Sequence, residues 1–147
     1  MTTTSETPQT SGNISSPIRT LIVDDSFMFL ECLRELLITQ GHVQVLGVAA
    51  NGNEALDKAA KLTPDLVLMD FSLPGMDGLS ATKNLKADPA TRHLAVVGLT
   101  ANAMKGDEQI ALNAGCDGYL TKPIDTRTFV ATVKNFIASG NLRQTKK

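Results

Sequence analysis

The sequence predicts an α/β protein of five βα units, a doubly wound five-stranded parallel sheet with helices on both faces. Three observations lead there. Strand-length apolar runs recur five times, at Thr20 to Val23, Gln44 to Ala49, Leu66 to Met69, Ala95 to Leu99 and Gly118 to Leu120. The segments between them show 3.6-residue periodicity, and strands joined through helices pair in parallel by right-handed crossovers. Runs such as Leu21-Ile22-Val23 and Leu66-Val67-Leu68-Met69 are continuously apolar, as strands covered on both faces must be.

In chain order, residues 1–17 are almost entirely Thr, Ser, Gly, Asn, Gln and Pro, too polar to offset the entropy of ordering, and are expected to form a disordered tail. The first strand leads into a helix capped by Ser26 and closed by Gly41, with Phe29, Cys32, Leu33, Leu36 and Leu37 on its buried face. At 100° per residue Phe27 and Ile38 point away from that face. Four further βα units follow. The last helix carries Phe129, Val133, Phe136 and Ile137 at amphipathic spacing, and a short basic tail, residues 141–147, ends the chain. The domain is thus expected over residues 18–140.

A chain of 147 residues has room for one such domain, which can bury about 70% of its unfolded surface. Its net charge of −1 offers no field to attract nucleic acid. No stretch approaches the roughly 20 apolar residues of a membrane span, and the N-terminus lacks the pattern of a signal peptide, so the expected address is the cytoplasm. Cys32 and Cys116 have neither metal-site nor disulfide spacing and are expected to be small buried apolar side chains.

Chemistry gathers at one edge of the predicted sheet. Asp24 and Asp25 leave the first strand, Asp70 the third, Thr100 the fourth and Lys122 the fifth. In such sheets ligands bind outside the carboxyl ends of the strands, where strand order reverses. Three clustered carboxylates repel one another unless a cation compensates them, and oxygen ligands without His or Cys suit Mg²⁺. A carboxylate beside Mg²⁺ can attack phosphorus and form an aspartyl phosphate. Lys122 can offset the developing charge, and the Thr100 hydroxyl can bond a phosphoryl oxygen.

Four motifs in order, Leu-Ile-Val-Asp24-Asp25-Ser, Asp70-Phe-Ser-Leu-Pro-Gly-Met-Asp-Gly-Leu79, Gly-Leu-Thr100-Ala-Asn-Ala and Gly118-Tyr-Leu-Thr-Lys122-Pro-Ile, give the chain its family likeness. Over about residues 18–140 it resembles the receiver domain of two-component response regulators, the chemotaxis-type fold. The resemblance implies a flavodoxin-like strand order 2-1-3-4-5, with Asp70 as phosphoacceptor. It implies one Mg²⁺ bound directly by Asp25 and Asp70, mainly through water by Asp24, and by the Ser72 backbone carbonyl. Lys122 would pair with Asp70 and then with the phosphoryl group. Thr100 would move to bond that group, while Tyr119 turns inward to fill the space vacated. Ser72 and Asn102, each two residues past a site residue, would tune phosphoryl lifetime.

The implied partners are a histidine kinase or histidine phosphotransfer protein and a downstream protein target, with no direct nucleic-acid contact and no membrane insertion, the chain acting as a monomer or a phosphorylation-promoted dimer. Phe27, with Leu30 beside it, is expected to form part of the docking patch for the phosphodonor. Because the chain stops soon after its last helix, it reads as a stand-alone regulator whose state another protein must read. Two other readings stay open. One is a pseudo-receiver that docks without phosphorylation; the other is a Mg²⁺-dependent phosphatase, which would normally carry a second acid where this chain has Ser72.

Overall fold

A computed structural model describes residues 17–136 except 74, 101–106, 123 and 126. Asn102, Ile137, residues 1–16 of the expected N-terminal tail and all of the C-terminal tail lie outside the described residues. The described elements run β1 (Ile18–Val23), α1 (Phe27–Gln40), β2 (Val43–Ala49), α2 (Gly52–Leu62), β3 (Leu66–Asp70), α3 (Gly78–Ala87), β4 (Ala95–Thr100), α4 (Asp107–Ala114), β5 (Gly118–Thr121) and α5 (residues 127–136). The five strands are parallel in the order β2-β1-β3-β4-β5. This is the expected fold class and strand order.

The registers set the site. Val23 pairs with Met69, so Asp24 and Asp70 emerge side by side. Asp70 pairs with Leu99, and Thr100 with Thr121, which brings the following Lys122 level with the acids. Both Asp70 and Thr100 are therefore the last residues of their strands rather than the first residues beyond them. The Phe71 N–H donating to the Leu99 carbonyl at 3.0 Å carries the ladder past Asp70.

Side chains alternate across the sheet into two apolar layers. Leu21, Val23, Val67, Met69 and Val96 face α2, α3 and α4, meeting Ala55, Ala59, Ala81, Leu85 and Ala111. Ile22, Leu66, Leu68, Val97 and Leu99 face α1 and α5, meeting Leu30, Leu33, Leu37, Phe129 and Val133. Each fully buried large side chain contributes roughly 1.5–3 kcal/mol, which holds the sheet between its helices.

Two polar devices fix the frame. Ser26 caps α1 by accepting the Phe29 N–H, and Gly41 closes the helix at φ +80°, its N–H donating to the Ile38 carbonyl. At the sheet end remote from the acids, Lys86 Nζ donates to the carbonyls of Leu94 at 2.6 Å and Arg92 at 3.3 Å and pairs with Asp117 at 3.1 Å. Asp117 also accepts the Val96 N–H, so one ion pair joins α3 to the amino ends of β4 and β5.

α1 corrects three expectations. Leu30, expected on the exposed docking patch, is only 5% exposed and belongs to the core. Leu36 and Cys32, expected on the buried face, are exposed. The buried stripe is Leu30, Leu33 and Leu37, at i, i+3 and i+7, with Phe29 half-buried at its margin. The apolar residues of this helix define two overlapping arcs, and the narrower one packs into the apolar layer shared by β1, β2, β3 and α5. Cys116 is buried as expected, and burial pushes its thiol pKa up to about 11.

Candidate functional site

Asp24 is almost wholly buried, and its backbone N–H donates to the Ala49 carbonyl at 2.9 Å. One carboxylate oxygen accepts the Ser26 N–H at 2.8 Å; the other accepts from Lys122 Nζ at 2.5 Å. Asp70 is buried as well, with Oδ1 accepting the Ser72 N–H at 3.1 Å and Oδ2 lying 3.7 Å from the same Lys122 nitrogen. Asp25 is exposed at the rim. An oxygen from each of the three carboxylates lies within 4.8 Å of the others.

The loop after Asp70 is held close. Its Leu73 inserts into the core, Asp77 caps α3 by accepting the Ser80 N–H at 2.7 Å, and the Gly78 N–H donates to the Phe71 carbonyl. A Cβ at Gly78 would overlap the Asp70 carbonyl oxygen, so only glycine lets the helix start this near the strand end. Thr100 is buried, and its carbonyl accepts the Lys122 N–H at 2.8 Å, which ties those two residues through the backbone.

Electrostatically the cluster is under-compensated. Burial raises the Asp70 pKa above the ordinary carboxylate value; the Ser72 N–H opposes that, the neighbouring Asp24 adds to it, Lys122 opposes it, and Asp25 adds a little more. One partly exposed ammonium thus serves two buried carboxylates and faces a third acid close by.

All five residues expected at the sheet edge, Asp24, Asp25, Asp70, Thr100 and Lys122, are gathered there, and Ser72 joins them through its amide. Tyr119 lies opposite Gly98 on β5 and packs half-buried against the α2–α4 layer. Phe27, 74% exposed, stands just past Asp25 at the mouth of the site, and Met28 is equally exposed.

Two aromatic residues escaped the sequence reading as parts of the site. Phe71 lays its ring where a side chain at position 98 would be, since a Cβ on Gly98 would overlap it. The signal was a glycine inside the otherwise bulky run Ala-Val-Val-Gly-Leu. Phe29 holds its ring centroid 4.2 Å from Lys122 Nζ. Its signal was weaker, an aromatic residue four places after Asp25 and three after the helix cap.

Comparison with known proteins agrees with this geometry. The sequence profile described as the response regulator receiver domain matches residues 20–134. The polar-differentiation response regulator DivK of Brucella anthropi is 40% identical over 124 residues, covering 84% of this chain and 99% of the relative. A LuxR-family two-component response regulator from an Aurantimonas species superposes with a TM-score of 0.77 at 29% identity, covering 84% of this chain and 87% of that one. The receiver domain of the Pseudomonas aeruginosa sensor histidine kinase PA1611, solved with a magnesium ion in its active-site cleft, superposes with a TM-score of 0.74 at 31% identity over 84% of this chain and 99% of its own. Among the described residues no helix is long and apolar enough to cross a membrane.

Proposed function

Since the chain belongs to the response regulator receiver domain family, we propose that it is a phosphorylation-dependent signalling switch in which Asp70 accepts a phosphoryl group from phosphohistidine on a kinase or phosphotransfer protein. The observation that carries this reading is the ammonium of Lys122 set between Asp24 and Asp70 at the carboxyl edge of the sheet. That arrangement puts a nucleophile, a charge compensator and two further acids within reach of one incoming group.

The donor set fits a hard divalent cation: three carboxylates lie within 4.8 Å of one another, where burial first and the neighbouring acids second raise the Asp70 pKa. Asp25 and Asp70 would hold Mg²⁺ directly, Asp24 mainly through water, and the Ser72 backbone carbonyl would complete the set. Bound there, the ion would supply neutralisation of the phosphoryl oxygens.

An Asp70 oxygen forms the bond to phosphorus as the bond to the donor imidazole nitrogen breaks, and the imidazole leaves with the electron pair. Lys122 turns from Asp24 towards the phosphoryl oxygens, and the Thr100 hydroxyl donates to one of them. Tyr119 fills the room that Thr100 leaves. The doubly charged phosphoryl group thereby selects one arrangement of β4 and the segment after it, and a protein target reads the result. Ser72, and Asn102 outside the described residues, stand where side chains govern access of hydrolytic water.

Incubation with Mg²⁺ and acetyl phosphate is expected to give an acid-stable, hydroxylamine-sensitive mass gain. No gain would favour a pseudo-receiver; rapid turnover of phosphomonoesters would favour a phosphatase. A protein donor must approach from the strand-end side, where Phe27 and Met28 lie exposed, so Phe27 is assigned to the docking surface. Phe27→Ala should slow transfer from the phosphohistidine partner about tenfold. Its melting temperature should stay at the wild-type value, and an unchanged transfer rate would remove Phe27 from the interface.

A further inference from the structure

We propose that Phe29 is a positioning residue for Lys122, its ring holding the ammonium over the Asp24–Asp70 pair while leaving it free to move between them. The inference rests on the phosphoacceptor reading of Asp70 above.

Four residues close a circuit. The Ser26 N–H donates to Asp24 Oδ1 at 2.8 Å, and Ser26 Oγ accepts the Phe29 N–H at 3.2 Å. The Phe29 ring then meets Lys122 Nζ, and Lys122 donates back to Asp24 Oδ2. The first turn of α1 thus fixes both the acid and the ring that Lys122 touches. Phe29 itself is half-buried against the α1–α5 layer, so its ring is held by packing as well.

The contact differs in kind from the other two that Lys122 makes. Asp24 and Asp70 offer directed acceptors at 2.5 and 3.7 Å, and moving from one to the other exchanges bonds. A ring face attracts a cation through its quadrupole with little lateral preference. Lys122 can therefore slide from Asp24 towards a phosphoryl group on Asp70 and keep this third partner throughout. The ring also covers a side of the ammonium that water would otherwise occupy, which strengthens its pull on the carboxylates.

Proton NMR of the wild-type protein tests the contact without any variant: the Lys122 ε-methylene protons should lie upfield of the ordinary lysine position. Phe29→Leu keeps an apolar side chain and removes the ring; it should return those protons to the ordinary position. It should also lower the maximal rate of phosphorylation by acetyl phosphate at saturating Mg²⁺ by about three- to tenfold. The donor concentration for half-maximal rate should not change. Phe29→Tyr keeps the ring face and should restore both the upfield shift and the rate to within about twofold of wild type.

An unshifted methylene in the wild type, a Phe29→Leu rate equal to wild type, or a Phe29→Tyr rate as low as Phe29→Leu each overturns the assignment alone. A wild-type protein that takes no phosphoryl group overturns the phosphoacceptor reading, and this assignment with it.

Discussion

Asp70→Asn is expected to abolish the hydroxylamine-sensitive mass gain and, in metal-free buffer at neutral pH, to raise the melting temperature. The first effect follows because the amide lacks the charged oxygen that attacks phosphorus. The second follows from the buried, repelled carboxylate. Its folded-state pKa lies above the unfolded value of ~3.9. Such a group supports the fold fully below the unfolded pKa and loses that support as pH rises through the folded one. At neutral pH the ionised Asp70 therefore works against the fold, while the amide of the variant removes the charge and keeps an oxygen for the Ser72 N–H. Thermal melts in chelator across pH 3 to 8 check this: the variant's advantage should be present at pH 7 and shrink as the pH falls through the carboxylate range. A variant that melts lower at pH 7 would show that the Lys122 attraction outweighs burial.

Lys122→Ala should act in the opposite direction and more strongly. Its side chain is 21% exposed, yet the Asp24 side chain that it bonds is 1% exposed. Removing the cation leaves two buried carboxylates facing each other without compensation. Breaking a buried pair in this way costs about 3 kcal/mol, taking the low end of the usual range because Lys122 keeps some contact with water. For a chain of this size that is roughly 6–12 °C in melting temperature. The phosphorylation rate should fall with it. Mg²⁺ should restore part of the loss, because a cation binding only the folded state stabilises it by mass action. Thermal melts with and without Mg²⁺ decide: the Mg²⁺-induced rise should be larger in Lys122→Ala than in wild type. An equal rise would mean that the lysine and the ion do not share carboxylates.

The sheet and its polar edge were legible because both depend on patterns local in sequence. An apolar run ending in Asp, Thr or Lys names a strand and the residue at its exit, and parallel crossovers then gather those exits on one side. The face of α1 was less legible. Phe27, Phe29, Leu30, Leu33, Leu36, Leu37 and Ile38 offer two apolar arcs, and only the shape of the groove decides that Leu30 enters it and Leu36 does not. Strand ends shifted by one or two residues for a similar reason, since Phe71 bonding Leu99 extends β3 through a contact made across the sheet. Phe29 and Phe71 were invisible as site residues because what each touches, Lys122 in one case and Gly98 in the other, lies far along the chain.

The ion pair between Lys86 and Asp117 gives the two strands that carry Thr100 and Lys122 unequal ends. At their amino ends β4 and β5 are stapled to α3 through three carbonyl and carboxylate acceptors and one returned N–H. At their carboxyl ends they lead into Thr100 and Lys122, the groups proposed to change partners on phosphorylation. Mechanically each strand is a lever with its fulcrum at the remote end. In the switching proposed above, a displacement at Thr100 or Lys122 would meet a fixed point at the far side of the sheet and would be turned outward to α4, which connects the two strands, rather than absorbed along their length.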